Sequence, residues 1–150
     1  MKRMMNTLLS MLICTVLFST CFGATTVCAA PSGKIEIQLK DLNTAHSNKT
    51  GVTFKLYRVG TVLDSGEPVI DPVYGITEYP VTADETEQAV RKIKAALTGS
   101  AQASAATDAS GKAVLSGVAD GIYYIAADES NGYGIVEPLL VQIPYSVEGT

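Results

Sequence analysis

Short runs of alternating or β-branched residues, turn clusters of Gly, Asp and Asn between them, and one amphipathic stretch predict a mainly β chain, an antiparallel β-sandwich with a single inserted α-helix. Units of strand, helix and parallel strand would need a helix after nearly every strand, and only one helical pattern occurs.

The first thirty residues stand apart from this pattern. Lys2 and Arg3 precede an apolar run, Leu8–Phe18, and small residues follow at Ala29 and Ala30, the layout of a secretory signal peptide. A transmembrane helix needs about 20 apolar residues, so cleavage is expected rather than anchoring. Pro31, with no N–H and a fixed φ, disfavours a cut after Ala30. A cut after Ala29 gives a signal peptide of residues 1–29 and one domain of residues 30–150. The rival reading is acylation at Cys21, but Phe18, Ser19 and Thr20 lack the aliphatic residue and small Gly or Ala of a lipobox.

Removing this leader changes the available chemistry. All three cysteines (Cys14, Cys21, Cys28) and all four methionines (Met1, Met4, Met5, Met11) lie within it, so residues 30–150 hold no sulfur. Disulfides, thiolate metal sites and cysteine nucleophiles are excluded there, although export would permit disulfides. Nine basic residues face 15 acidic ones after the leader, a formal charge of −6 that disfavours a nucleic-acid partner.

From Lys34 to Leu42 apolar Ile35, Ile37 and Leu39 alternate with Glu36, Gln38 and Lys40, the period of a half-buried first strand. A polar stretch, Asn43–Thr50, leads to a second strand over Val52–Val59, rich in β-branched and aromatic residues. Between Gly60 and Pro80 the punctuation of Gly66, Pro68, Pro72 and Gly75 predicts turns and short edge strands. Thr82 with Glu85 fits a capping box, and a helix is expected near 83–97. Val90, Ile93 and Leu97 share one face with Ala89 and Ala96 beside them; Glu87 and Arg91 pair opposite, and Gly99 marks the stop. Gly99–Ser110, rich in Ala and Ser and without periodicity, reads as a loop. Strands then follow over Lys112–Ser116, Gly121–Ala127 and Ile135–Ile143, with Pro138 expected to protect an edge by breaking the last ladder.

The residues give no catalytic constellation, and no catalytic, cofactor-binding or metal site is expected. His46 is a lone histidine in a polar linker. Gly111, Gly117, Gly121, Gly132 and Gly134 lie between strands as turn residues rather than before a helix as a phosphate loop. Asp64, Glu67 and Asp71 match no EF-hand spacing and read as solvated loop acids. Asn48-Lys49-Thr50 fits the glycosylation acceptor pattern, which argues only for exposure. Tyr123, Tyr124, Tyr133 and Tyr145 read as core and rim packing rather than a binding face.

Three segments carry a family resemblance. Gly51–Tyr57 (GVTFKLY) resembles the GA-x-F-x-LY strand of pilin domains with the collagen-adhesin B-type fold. Thr107–Ile125 (TDASGKAVLSGVADGIYYI) looks like the family's T-D-x-x-G-x-A-x-F-x-G-L-x-x-G-x-Y-x-V hairpin. Glu137–Pro144 (EPLLVQIP) looks like the PFLVSIP strand closing the amino-terminal domain of shaft pilins. Together they resemble the amino-terminal domain of a Gram-positive, SpaA-type pilin or cell-wall surface-anchored protein.

The resemblance implies a Greek-key sandwich of immunoglobulin-like, prealbumin-like type and a non-enzymatic structural subunit of a pilus or cell-surface fibre, with a role in adhesion. The expected partners are other subunits joined by sortase-mediated linkage and a host ligand, with no nucleic acid and no membrane once the leader is removed. The expected location is secreted, at the cell surface or cell wall. The alternative is a secreted transthyretin-like or carbohydrate-binding accessory module of a larger surface protein or enzyme.

Two departures from the family pattern bear on this. The lysine of an internal isopeptide bond, two residues before Asp41, falls on Leu39, and the acid expected six residues after Gly121 falls on Ala127. No bond of that type is expected, since a one-residue slip to Lys40 and Asp128 would turn the side chains to the opposite face. No lysine-bearing pilin motif or LPxTG-type signal follows, so the chain reads as an amino-terminal fragment or a free-standing secreted relative, and the polymerising lysine is not named.

Overall fold

The computed structural model describes residues 33–41, 48–128 and 132–144. The described chain is mainly β, with two antiparallel sheets and one α-helix. The strands are β1 (Gly33–Gln38), β2 (Thr53–Val62), β3 (Pro68–Ile70), β4 (Ala103–Ala106), β5 (Lys112–Val118), β6 (Gly121–Ala127) and β7 (Leu139–Ile143). A 3-10 turn (Pro72–Tyr74) and the helix α1 (Ala83–Ala96) stand between β3 and β4.

One sheet is the pair β1–β5; the other runs β3–β2–β6–β7, with β4 also on β2. β4 pairs with Thr53–Leu56 and β3 with Gly60–Val62, so the two short strands lie end to end along the edge of β2 that β6 leaves open.

Period-two alternation sends successive side chains to opposite faces of the larger sheet. Phe54, Leu56, Tyr123 and Ile125 pack toward the small sheet, against Ile37, Leu39, Ala113, Leu115 and Val118. Val59, Ile70, Ile122 and Tyr124 pack the other way, against Ile93 of α1. β6 is therefore buried on both faces, with an unbroken run from Gly121 to Ile125. The layers run small sheet, large sheet, helix.

α1 begins as its sequence predicts. The Thr82 hydroxyl accepts the Glu85 N–H at 3.2 Å while the Glu85 carboxylate accepts the Thr82 N–H at 3.0 Å, so two orphan donors are satisfied reciprocally. Glu87 pairs with Arg91 on the outer face, and Ala89 and Ile93 are buried on the inner one.

Several expectations are corrected. The Ala/Ser stretch holds a strand, β4, because the free edge of β2 supplies a ladder that local propensity does not require. The last strand starts at Leu139 rather than Ile135, since Pro138 has no N–H to donate; this proline precedes the ladder instead of breaking it. Gly117 lies inside β5 rather than in a turn, while Gly121 opens β6 as expected. The expected hairpin is an arch: β5 and β6 belong to different sheets and face one another across the core.

One glycine permits the close approach of β3. A Cβ on Gly60 would stand 2.3 Å from the Val69 carbonyl oxygen and 2.9 Å from Ile70 Cα, so no other residue fits without parting the strands.

Candidate functional site

The segment Thr107–Ile125 builds a cluster of polar contacts at each end of β5. Buried Thr107 accepts the Val52 N–H through Oγ1 at 2.9 Å and donates the same hydroxyl to the Lys49 carbonyl at 2.6 Å. Its own N–H and C=O bond to Val52 and Gly51. Asp108 Oδ1 accepts from the Ser110 hydroxyl and from the N–H groups of Ser110 and Lys112, which hold its carboxyl below the usual range. Gly111 then takes φ 83°, where a side chain would be strained and would also meet the Lys49 stem. The T-D-x-x-G pattern is thus a turn that ties β4 and β5 to the start of β2.

At the other end of β5 the arch is clamped twice. The Tyr123 hydroxyl donates to the Ala119 carbonyl at 2.8 Å. The Arg58 guanidinium donates to the Asp120 carbonyl at 3.1 Å and to the Gly60 carbonyl at 3.3 Å. Burial pushes the Tyr123 phenol up, so it remains a neutral donor at physiological pH.

Leu39 and Ala127, the two positions where the sequence departs from the pattern it resembles, belong to one core cluster. Leu39 is buried in the core between the sheets, and Ala127 packs against that core. One residue further along each segment, Lys40 is exposed, and Asp128 holds Lys55 at 2.6 Å. The Asp128 hydrogen bond raises the Lys55 pKa, which keeps the amine protonated and non-nucleophilic. An intact mass equal to that of the linear polypeptide, its residues plus one terminal water, is expected for the purified protein, and a deficit of one water or one ammonia from that value would contradict it.

The remaining residues singled out in the sequence are dispersed. His46 and Tyr145 lie outside the described residues. Asp64 and Glu67 flank the turn before β3, while Asp71 follows that strand and precedes the 3-10 turn. Among the described residues no three metal-ligating side chains form a group that would hold an ion. Asn48 is exposed, and its Oδ1 accepts the Thr50 N–H at 2.9 Å. Tyr123 and Tyr124 are core on opposite faces of β6, and the Tyr133 hydroxyl donates to the Lys40 carbonyl.

Three shallow grooves mark the surface on the helix side. One of about 410 Å³ lies among Lys94, Tyr124, Asp128 and the lead into β7, Ile135–Pro138. The other two flank the segment 77–81: about 280 Å³ on its α1 side and about 340 Å³ on its β3 side. Sequence reasoning missed these grooves: the first joins residues up to about forty positions apart, and the other two, though local in sequence, take shape only from how the segment 77–81 lies against α1 and β3. Compared with known proteins, the chain matches no family model, no curated protein and no solved structure.

Proposed function

We propose that the chain is a structural module of a Gram-positive pilus or cell-surface fibre, exported by its leader and built on a Greek-key, prealbumin-like sandwich. The observation that carries the reading is the joint placement of the three resembling segments. Gly51–Tyr57 leads into and forms the first half of the central strand β2, Thr107–Ile125 supplies β5 and most of β6, and Glu137–Pro144 contains β7. Phe54, Leu56, Leu115, Tyr123 and Ile125 of the first two segments are core residues of the same cluster.

Two further features support the finer fold. The chain changes sheet between β1 and β2, between β4 and β5, and again between β5 and β6, as a Greek-key sandwich requires. Tyr123 bonds back to a carbonyl four residues upstream, the geometry of a tyrosine corner in such sandwiches. A sulfur-free module resists oxidation outside the cell, and its stability comes from a two-sided core rather than from disulfides.

The test is an immunoblot, with antibody raised against residues 31–150, of wall material released by muramidase from the native host and boiled in SDS. A high-mass ladder is expected for a covalently polymerised subunit. A single discrete band in the medium would overturn the reading and favour a free secreted binding domain.

A further inference from the structure

We infer that the groove between β3 and the segment 77–81 binds an extended cationic peptide of a partner protein by strand addition, with valine- or isoleucine-like side chains between its basic residues. This inference does not depend on polymerisation of the chain.

The first observation is an open backbone edge. β3 pairs with β2 so that Thr61↔Val69 exchanges both hydrogen bonds, with Asp71 N–H to Val59 C=O and Leu63 N–H to Glu67 C=O bracketing it in the same alternation. Residues 68 and 70 therefore turn their polar backbone groups away from β2, toward the groove. Pro68 has only a carbonyl to offer, and no backbone acceptor among the described residues takes the Ile70 N–H. A strand edge in this state is a template for another extended segment. β3 has three residues, so it reads roughly 10 Å of partner backbone.

The second observation is apolar surface on both walls. Val69 is 38 % exposed and Val81 85 % exposed, and both line the groove with Tyr79 and Pro68. These exposed aliphatic side chains would be covered by a partner side chain entering the groove.

Charge decides the occupant. From Val59 to Val90 the chain carries seven carboxylates and no lysine or arginine. Glu85 is occupied in the helix cap and Glu87 by Arg91, whereas Glu67 and Glu78 line this groove with no ion pair among the described residues. Asp64 and Asp71 extend the same field from either end of β3. An anionic segment would be repelled here, and a lysine- or arginine-bearing one drawn in.

The test titrates the purified protein into a fluorescein-labelled heptapeptide of alternating lysine and valine at low salt, followed by anisotropy. In parallel, the Ile70 amide is watched by nitrogen-15 NMR. Saturable binding with a Kd of roughly 10–100 μM is expected, together with a shift of the Ile70 amide. The double variant Glu67→Lys, Glu78→Lys should weaken binding by at least about tenfold with an unchanged thermal melt, and Glu36→Lys on the small sheet should leave it unchanged. The inference is overturned by absence of binding up to about 1 mM, by equal binding of a control heptapeptide of alternating glutamate and valine, by indifference to the double reversal, or by an unmoved Ile70 amide.

Discussion

The two faces of the five-stranded sheet are covered by different means. Toward the small sheet, buried residues of β1, β2, β5 and β6 interlock, with the Thr107 turn and the Tyr123 arch closing the ends of the layer. Toward the helix, Ile93 and Ala89 are the buried residues of α1, and Tyr57, Tyr74 and Tyr79 are only partly covered. The difference teaches that the inter-sheet layer holds the fold while the helix is a lid on an already paired sheet. An element with fewer buried apolar contacts opens at lower free energy than the core beneath it.

The largest test of this contrast removes one large side chain from each face. Phe54→Ala should cost about 3–5 kcal/mol by urea denaturation. Ile93→Ala, where α1 can settle onto the sheet, should fall near 2 kcal/mol. Equal costs would make the two layers equal partners and break the comparison.

A sharper test uses adjacent residues of β6. Tyr123→Phe deletes the hydroxyl that donates to Ala119 and should cost about 1 kcal/mol. Tyr124→Phe removes a hydroxyl from the helix face, where the ring packs 6.1 Å from that of Tyr57, and should cost less. Reversal of that order would show that the Tyr123 hydroxyl is not what holds the arch.

The smallest effect belongs to the helix cap. Thr82→Ala, at an exposed cap, should cost about 0.5 kcal/mol and speed amide exchange in α1 before it does so in β2 or β6. The Glu85 carboxylate is held below its ordinary value of 4.5, first by the Val81 N–H and then by that of Thr82. Because the folded value is the lower one, this stabilisation is present above the unfolded pKa and is lost as pH falls through the folded one. Helical circular dichroism should therefore decline in acid below about pH 4.5 ahead of the strand signal, and Glu85→Ala should remove that step. Simultaneous loss of both signals would argue against an independent lid.

Much of this architecture is legible locally. The capping box, the buried Ala89 and Ile93, and the strands β5 and β6 follow from patterns within a few residues. β4 was not legible: its Ala and Ser residues carry little strand preference, and the ladder comes from Thr53–Leu56, some fifty positions away. The groove beside β3 was equally hidden, because its walls are joined only when the segment 77–81 runs alongside the strand. The positions Leu39 and Ala127 could be named in the sequence, but their meeting at one core depends on the packing of the two sheets.

By itself the sequence determined the absence of sulfur from residues 30–150, the cap and inward face of the helix, and the alternation that gives each strand an apolar side. These depend on residue identity and on neighbours one to four positions away. Tertiary structure decided which strands share a sheet, that β5 and β6 part at an arch, and that β6 is buried on both faces. A period of two tells which side chains share a face, but not which distant backbone will satisfy the N–H and C=O groups between them.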